Sequence, residues 1–357
     1  MVQLIGMVLL VLMVSALVVD FGFYYAVQNQ MQTSADSAAM AATTELYRNT
    51  SVDPNDRMAD ASAEASAMVD ENTPGLVLQG DDVIFGFVDP DTRLYDPATF
   101  RTPTADTDYA LTGGYNSVRV KVGRGGDSAN APLNTLLGNM LGLHSMNTQA
   151  TSVALIDSSI TEITNGGVRP IFACNDLLEA AMADGIPNNN VIRIYGDHME
   201  IDGTNMMGMG SCSPPMSGNW GFADFTNCGA GTVGASTIAT WFASGYPGTI
   251  DISQCYSTKP GNFIASIRPE LDNLISEQTI FPIPLYNHWS GTGSNTHVDL
   301  TGFAGFRITD YVATGAQANR YIEGRFNLYV CQTGCVSGEG GDAPGGAIVK
   351  LRLASKS

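Results

Sequence analysis

Cysteine is the residue type here with the most capacity for chemistry. All six copies in this 357-residue chain, Cys174, Cys212, Cys228, Cys255, Cys331 and Cys335, lie in its second half. An even number in a Gly-, Ser-, Asn- and Thr-rich region reads as a disulfide framework closed outside the cytoplasm. Spacing alone brings together Cys331 and Cys335, across a Gln-Thr-Gly turn, and leaves the other pairings open. The histidines, His144, His198, His288 and His297, are scattered without the His-x-x-x-His or Cys-x-x-Cys spacing of a zinc site, although His288 and His297 flank a "GTGSN" loop and could converge across a hairpin. Two oxygen-rich stretches could take a hard cation. Asp157, Ser159 and Thr161 alternate after an apolar run, but no helix follows them, so the stretch reads as a polar linker. Asp89, Asp91 and Asp96 share one acidic loop open to Ca²⁺; no twelve-residue calcium loop matches, and solvated turn residues are the commoner outcome. No Gly-x-Ser-x-Gly elbow, Cys/His nucleophile signature, phosphate loop or dinucleotide loop is present. No catalytic, cofactor-binding or resident metal-ligating residue is therefore assigned, and the expectation is a protein that is not an enzyme.

The elements that must carry these residues begin with "MVQLIGMVLLVLMVSALVVDFG", free of charge from Leu4 to Val19 and ending on a lone Asp20. The first basic residue is Arg48, so the stretch lacks the basic flank and cleavage motif of a removable signal. Either other cues orient it, or a basic leader preceded Met1. As a helix, Met1–Val19 would come just short of the roughly 30 Å hydrocarbon core of a bilayer. The pattern runs on without proline through "QNQMQTSADSAAMAATTELY", predicting one helix over residues 1–47 about 70 Å long. The part past Asp20 must therefore lean on something. Ala35, Ala38, Ala39, Ala41 and Ala42 form a small-residue face that admits another backbone closely. Asp20 would be costly in hydrocarbon; it reads as the residue marking the interface, or as the partner of a neighbour's amine or of Arg48.

After a break at "DPND", "RMADASAEASAMVDEN" restarts a helix. "LVLQGDDVIFGFVD", "YNSVRVKVGR" and "MNTQATSVALI" read as strands, with "APLNTLLGNMLGL" a short apolar helix or turn packed on their sheet. Composition turns polar around residues 158–167, dividing a unit over 48–160 from a distal one over 161–357. The distal unit carries helices at "NDLLEAAMADG", "ASTIATWFASGY" and "RPELDNLISEQ". Its strands read at "TIFPIPLYN", "HVDLTGFAGFRITDY", "RYIEGRFNLYV" and "AIVKLRLA", in an antiparallel sheet. "SGEGGDAPGG" is a loop before the last of these. The expected fold is α+β: a long hydrophobic N-terminal helix with a small pilin-like sheet, then a distal disulfide-bonded α+β domain. Trp220, Trp241, Trp289, Tyr286 and Phe303 are expected mostly in the distal core.

Three groups of residues resemble the TadG-like proteins of Tad (Flp-type) pilus assembly. The first is Asp20-x-Gly22, Tyr24 and Gln32-x-x-Ala35-Asp36-x-Ala38-Ala39 behind the apolar run. The second is "YNSVRVKV", "APLNTLLGNMLGL" and "TQATSVAL". The third is "GNWGFADF", "WFASGYPGTIDI", "FPIPLYN", "GTGSNTHVDLTGFAGFRITDY" and "YIEGRF". The resemblance implies an exported protein of pilus biogenesis, held by its N-terminal helix with the globular part outside the cytoplasmic membrane. Its implied partners are that membrane before assembly, the Tad secretion and pilus machinery, and further copies of itself. True pilins bear a glutamate at the fifth mature position; Ile5 stands there in this chain. The residues expected to serve assembly are Leu4, Leu9, Leu12, Leu17, Asp20, Gly22, Ala35, Asp36 and Ala39. A net charge of −18 disfavours contact with a phosphate backbone, so no nucleic acid is expected. The expected function is a structural subunit of a pilus-like filament, with a non-polymerising membrane-anchored accessory factor or surface binding module as the alternative.

Overall fold

A computed structural model of the chain describes residues 2–48, 51, 53–89, 92–104, 112–135, 137–157, 160–165, 167–182, 190–195, 198–206, 219–228, 233–260, 264–291, 296–316, 319–331, 333–337 and 348–356. Helix α1 runs unbroken over Val2–Arg48, as the absence of proline and the Ala, Leu, Met and Gln content require. Helix α2, Pro54–Asn72, starts where Asp53 caps it, its carboxylate accepting the Asn55 N–H at 2.8 Å, with Pro54 in the first turn where a missing N–H costs nothing. The break between them is held by Arg57, 1% exposed, which donates to the backbone carbonyls of Leu46, Tyr47 and Ser51. A cation at the C-terminal carbonyls of α1 meets the negative end of its dipole. Burial pulls this guanidinium below its usual range, with the Tyr47 hydroxyl acting the other way.

The inner half of α1 lies with α2 across a five-stranded sheet. Its order is Val83–Gly86, Ser117–Arg124, Thr148–Asp157, Ile348–Leu353, Tyr329–Cys331. The first four strands pair antiparallel and the last pair is parallel, so this sheet is mixed. Ile348–Leu353 and Tyr329–Cys331, both expected in the distal sheet, belong to this one. Arg352 on the inserted strand meets buried Asp157 at 3.4 Å, and further along Ile160 and Thr161 enter the next strand, Ile160–Thr164. Ser159 lies outside the described residues. Of the strand expected over "LVLQGDDVIFGFVD", only Val83–Gly86 forms; Gly80–Asp82 makes a 3₁₀ turn instead, with the Asp82 carboxylate accepting the Gln79 N–H at 2.9 Å.

Beyond it lies a sheet that includes, in order, Thr204–Asn205, Met199–Ile201, Ile192–Tyr195, Tyr321–Asn327, His297–Val312, Cys255–Pro260 and Asn219–Asn227. The long strand His297–Val312 is its spine, pairing also with Phe281–Ser290, which itself takes Ala173–Cys174 in parallel. Helices α3 (Asn175–Met182), α4 (Ala235–Ser244) and α5 (Arg268–Ser276) stand where their apolar spacing predicts. The largest core cluster belongs to this region and holds Phe172, Phe222, Phe242, Phe281, Phe306 and Phe326. Trp241, Tyr286 and Phe303 are buried in it as expected, and Trp289 packs partly against it; the Trp220 side chain lies outside the described residues. Arg169 repeats the role of Arg57, donating to the Trp241 and Ala243 carbonyls at the end of α4. Gly245, at φ +83°, lets the chain turn there, where a Cβ would strike the Gly167 backbone.

A three-stranded ladder, Thr249–Asp251, Ile160–Thr164 and Cys335–Ser337, joins the two regions. The disulfide Cys331–Cys335 ties the edge of the first sheet to it, confirming the pairing that spacing indicates. A second disulfide links Cys228 to Cys255, at the ends of adjacent antiparallel strands. Cys174 is also disulfide-bonded. Cys212 lies outside the described residues, as does nearly all of "SGEGGDAPGG".

Candidate assembly surface

Helix α1 has two unlike halves. From Met31 onward its residues are spent on the fold: Met31, Ala35, Ala38, Ala39, Ala42 and Leu46 are fully buried. They meet Ala61, Ala65 and Val69 of α2 and Val118, Val120, Ala150 and Ala154 of the sheet. The small-residue face does admit a close backbone, and that backbone is this chain's own. Thr43, also buried, donates to Ala39 O at 2.7 Å and reaches Ala154 O at 3.3 Å. Ala35 and Ala39 thus sit in the core, while Asp36 is half-buried and accepts the Gln32 side-chain amide at 2.7 Å.

Asp20 is 4% exposed and has a partner in the same chain. Its carboxylate accepts the backbone N–H of Leu137, at 3.1 Å to Oδ2, and that of Gly138. These donors open the 3₁₀ turn Gly138–Leu141, whose free N–H groups favour an anion. The Gly138–Leu141 turn of the "APLNTLLGNMLGL" segment therefore packs against α1. Gly138 fits because a Cβ would stand 3.0 Å from Asp20 Oδ2 and 3.1 Å from Leu143 O. Arg48, weighed as a partner for Asp20, instead pairs with Glu45 at 2.6 Å. Further along, the Gln28 amide donates to Gln149 O at 2.8 Å while its carbonyl takes the Thr148 hydroxyl.

Ahead of Asp20 the helix leaves the body. Leu4 is 68% exposed and Val18 65%, with Met7, Val11, Val14 and Val19 also open. Leu17 is half-buried and Gly22 is exposed, with open space where a Cβ would stand. The side chains of Leu9 and Leu12 lie outside the described residues. Val2–Val19 extends about 27 Å as a helix. Among the described residues no helix is long and apolar enough to cross a membrane, so the span expected over Met1–Val19 stands on the sequence alone.

The other expected sites resolve simply. Asp96 accepts the Ala98 N–H at 2.9 Å and the Thr99 hydroxyl at 3.0 Å, as a turn residue does. Asp91 lies outside the described residues. His288 meets Asp299, not His297, at 3.3 Å. Among the described residues, Cys228, Cys255 and His297 alone gather with the proximity of metal ligands. No spacing rule finds this set, because its members come from three strand ends far apart in sequence.

Residues 4–48 match the family described as "Putative Flp pilus-assembly TadE/G-like". The match covers α1 almost end to end and supports a TadG-like protein of Tad pilus assembly, as the residues around Asp20 and Gln32 indicate. No curated protein and no solved structure matches the chain.

Proposed function

We propose that this chain is a structural subunit of an extracellular pilus-like filament, polymerising through the outer half of α1. The observation that carries the reading is the contrast along α1: from Met31 onward the helix is consumed by its own core, while Leu4, Met7, Val11, Val14 and Val18 of the charge-free stretch, and Phe21 and Tyr25 just past Asp20, stand open. Exposed apolar surface on this scale marks a protein or membrane contact. Leu4–Val19 contains no charge, and its length comes close to a bilayer's hydrocarbon core, which supports residence in the cytoplasmic membrane before assembly. Packing against equivalent helices would then remove it from lipid. Head-to-tail contacts that do not close give a fibre. The anionic globular part would face outward.

The same segment serves a second reading, a membrane-anchored accessory factor that does not polymerise. The exposed residues Leu4, Met7, Val11, Val14 and Val18 recur at three- and four-residue spacing along one stripe of the helix, which lipid would cover as well as another helix. The two readings part on removal of residues 2–19. Removing all of 1–47 would discard Met31, Ala35 and Leu46 from the core and test only folding. Detergent removal from the full chain should yield fibres by negative-stain microscopy, and the truncated chain should fold yet yield none. Full-length protein that stays monomeric while it co-purifies with Tad machinery sinks the filament reading and supports the anchor.

A further inference from the structure

On the outer face of the distal sheet three strands run side by side. Cys255 faces Asp299 and Ser257 faces His297 across one ladder; His288 faces Asp299 and Ser290 faces His297 across the other. Side chains alternate along a strand, and the intervening Tyr256 and Val298 are buried in the core, so Cys255, His297 and Asp299 share the opposite face. Cys228 joins them through its bond to Cys255. Ligand atoms of Cys228, Cys255 and His297 all lie within 4.8 Å of one another. The Nδ1 of His297 is buried and has no hydrogen-bond partner among the described residues.

We propose that Cys228, Cys255 and His297 bind Zn²⁺ when the Cys228–Cys255 pair is reduced, so that disulfide and ion are alternative staples of the same two strands. The thiolate, not the disulfide sulfur, is the ligand. A dithiol reductant supplies two electrons and two protons to the disulfide and itself closes to a disulfide. The two thiols then release two protons to solvent as they bind the ion. Zn–S bonds of about 2.3 Å in a tetrahedron set the sulfurs about 3.8 Å apart, roughly the contact distance of two unbonded sulfurs. Opening the disulfide therefore moves the pair towards the spacing the ion needs. Two thiolates and an imidazole suit zinc over calcium or magnesium, and water fills the fourth position. In the oxidised, exported chain the site is closed; in a reducing compartment zinc would hold the Asn219–Asn227 and Cys255–Pro260 strands in register.

The full chain in detergent, reduced with dithiothreitol and desalted without air, is titrated with Co²⁺ and then with Zn²⁺ against a chromophoric chelator. The expected result is a thiolate-to-cobalt charge-transfer band and one tight zinc per reduced chain, with none in the oxidised chain. Cys228→Ser and His297→Ala should each weaken zinc by about a hundredfold or more, whereas Cys331→Ser leaves the affinity unchanged. Circular dichroism of each oxidised variant reports folding, and His297→Gln, closer in volume, replaces His297→Ala if that chain unfolds. Equal zinc affinity in the His297 variant, equal binding by the oxidised chain, or no charge-transfer band overturns the proposal.

Discussion

The two halves of α1 share one helix and one set of good helix formers, yet they serve opposite ends. The inner half presents alanines whose short side chains bring the helix axis close to α2 and the sheet, and those alanines are fully buried. The outer half presents larger and more apolar side chains and leaves Leu4, Met7, Val11, Val14, Val18 and Val19 open. Hydrophobicity therefore does not predict burial along this helix. What decides it is where the rest of the chain runs out of surface to offer, and Asp20, tied to Leu137 and Gly138, is a buried contact in a stretch where Phe21 and Tyr25 are still open.

This contrast can be broken from either side. Removing residues 2–19 should abolish assembly outright while shifting the thermal midpoint by no more than a few degrees, because none of the described core residues is lost; a collapse in stability would show that the outer half is structural after all. On the inner side, Arg57→Met should cost about 3 kcal/mol by urea denaturation, since it strands the carbonyls of Leu46, Tyr47 and Ser51. Ala39→Leu should cost about 2 kcal/mol through overpacking, against less than about 0.5 kcal/mol for Val14→Leu in the open half. Equal losses at the two positions would erase the distinction between the halves. At the junction, Asp20→Asn keeps an acceptor but removes the charge, and about 1 kcal/mol should be lost. The effect should appear as faster hydrogen exchange at the Leu137 and Gly138 amides, and unchanged exchange there would disprove the anchoring role.

Much of the architecture is legible along the chain because local signals carry it. The proline-free run to Arg48, the cap at Asp53 and the spacing in "NDLLEAAM" or "RPELDNLIS" place helices that the structure contains. Strands such as Ser117–Arg124 and Thr148–Asp157 follow from alternation and β-branched residues. Pairings between distant segments are not legible. Nothing in "AIVKLRLA" says that it inserts beside Thr148–Asp157, since an apolar strand fits either sheet and Arg352 shows its purpose only once Asp157 is opposite.

By itself the sequence determined that α1 exists, how long it is, that its first part is free of charge, and that Cys331 lies within reach of Cys335. Those properties arise from residue propensity, composition and short covalent separation. The tertiary structure decided which face of α1 is spent internally, what satisfies Asp20, and which cysteines meet His297. Each of these depends on two segments meeting across a hundred residues or a sheet, and such meetings are selected by packing the whole core at once.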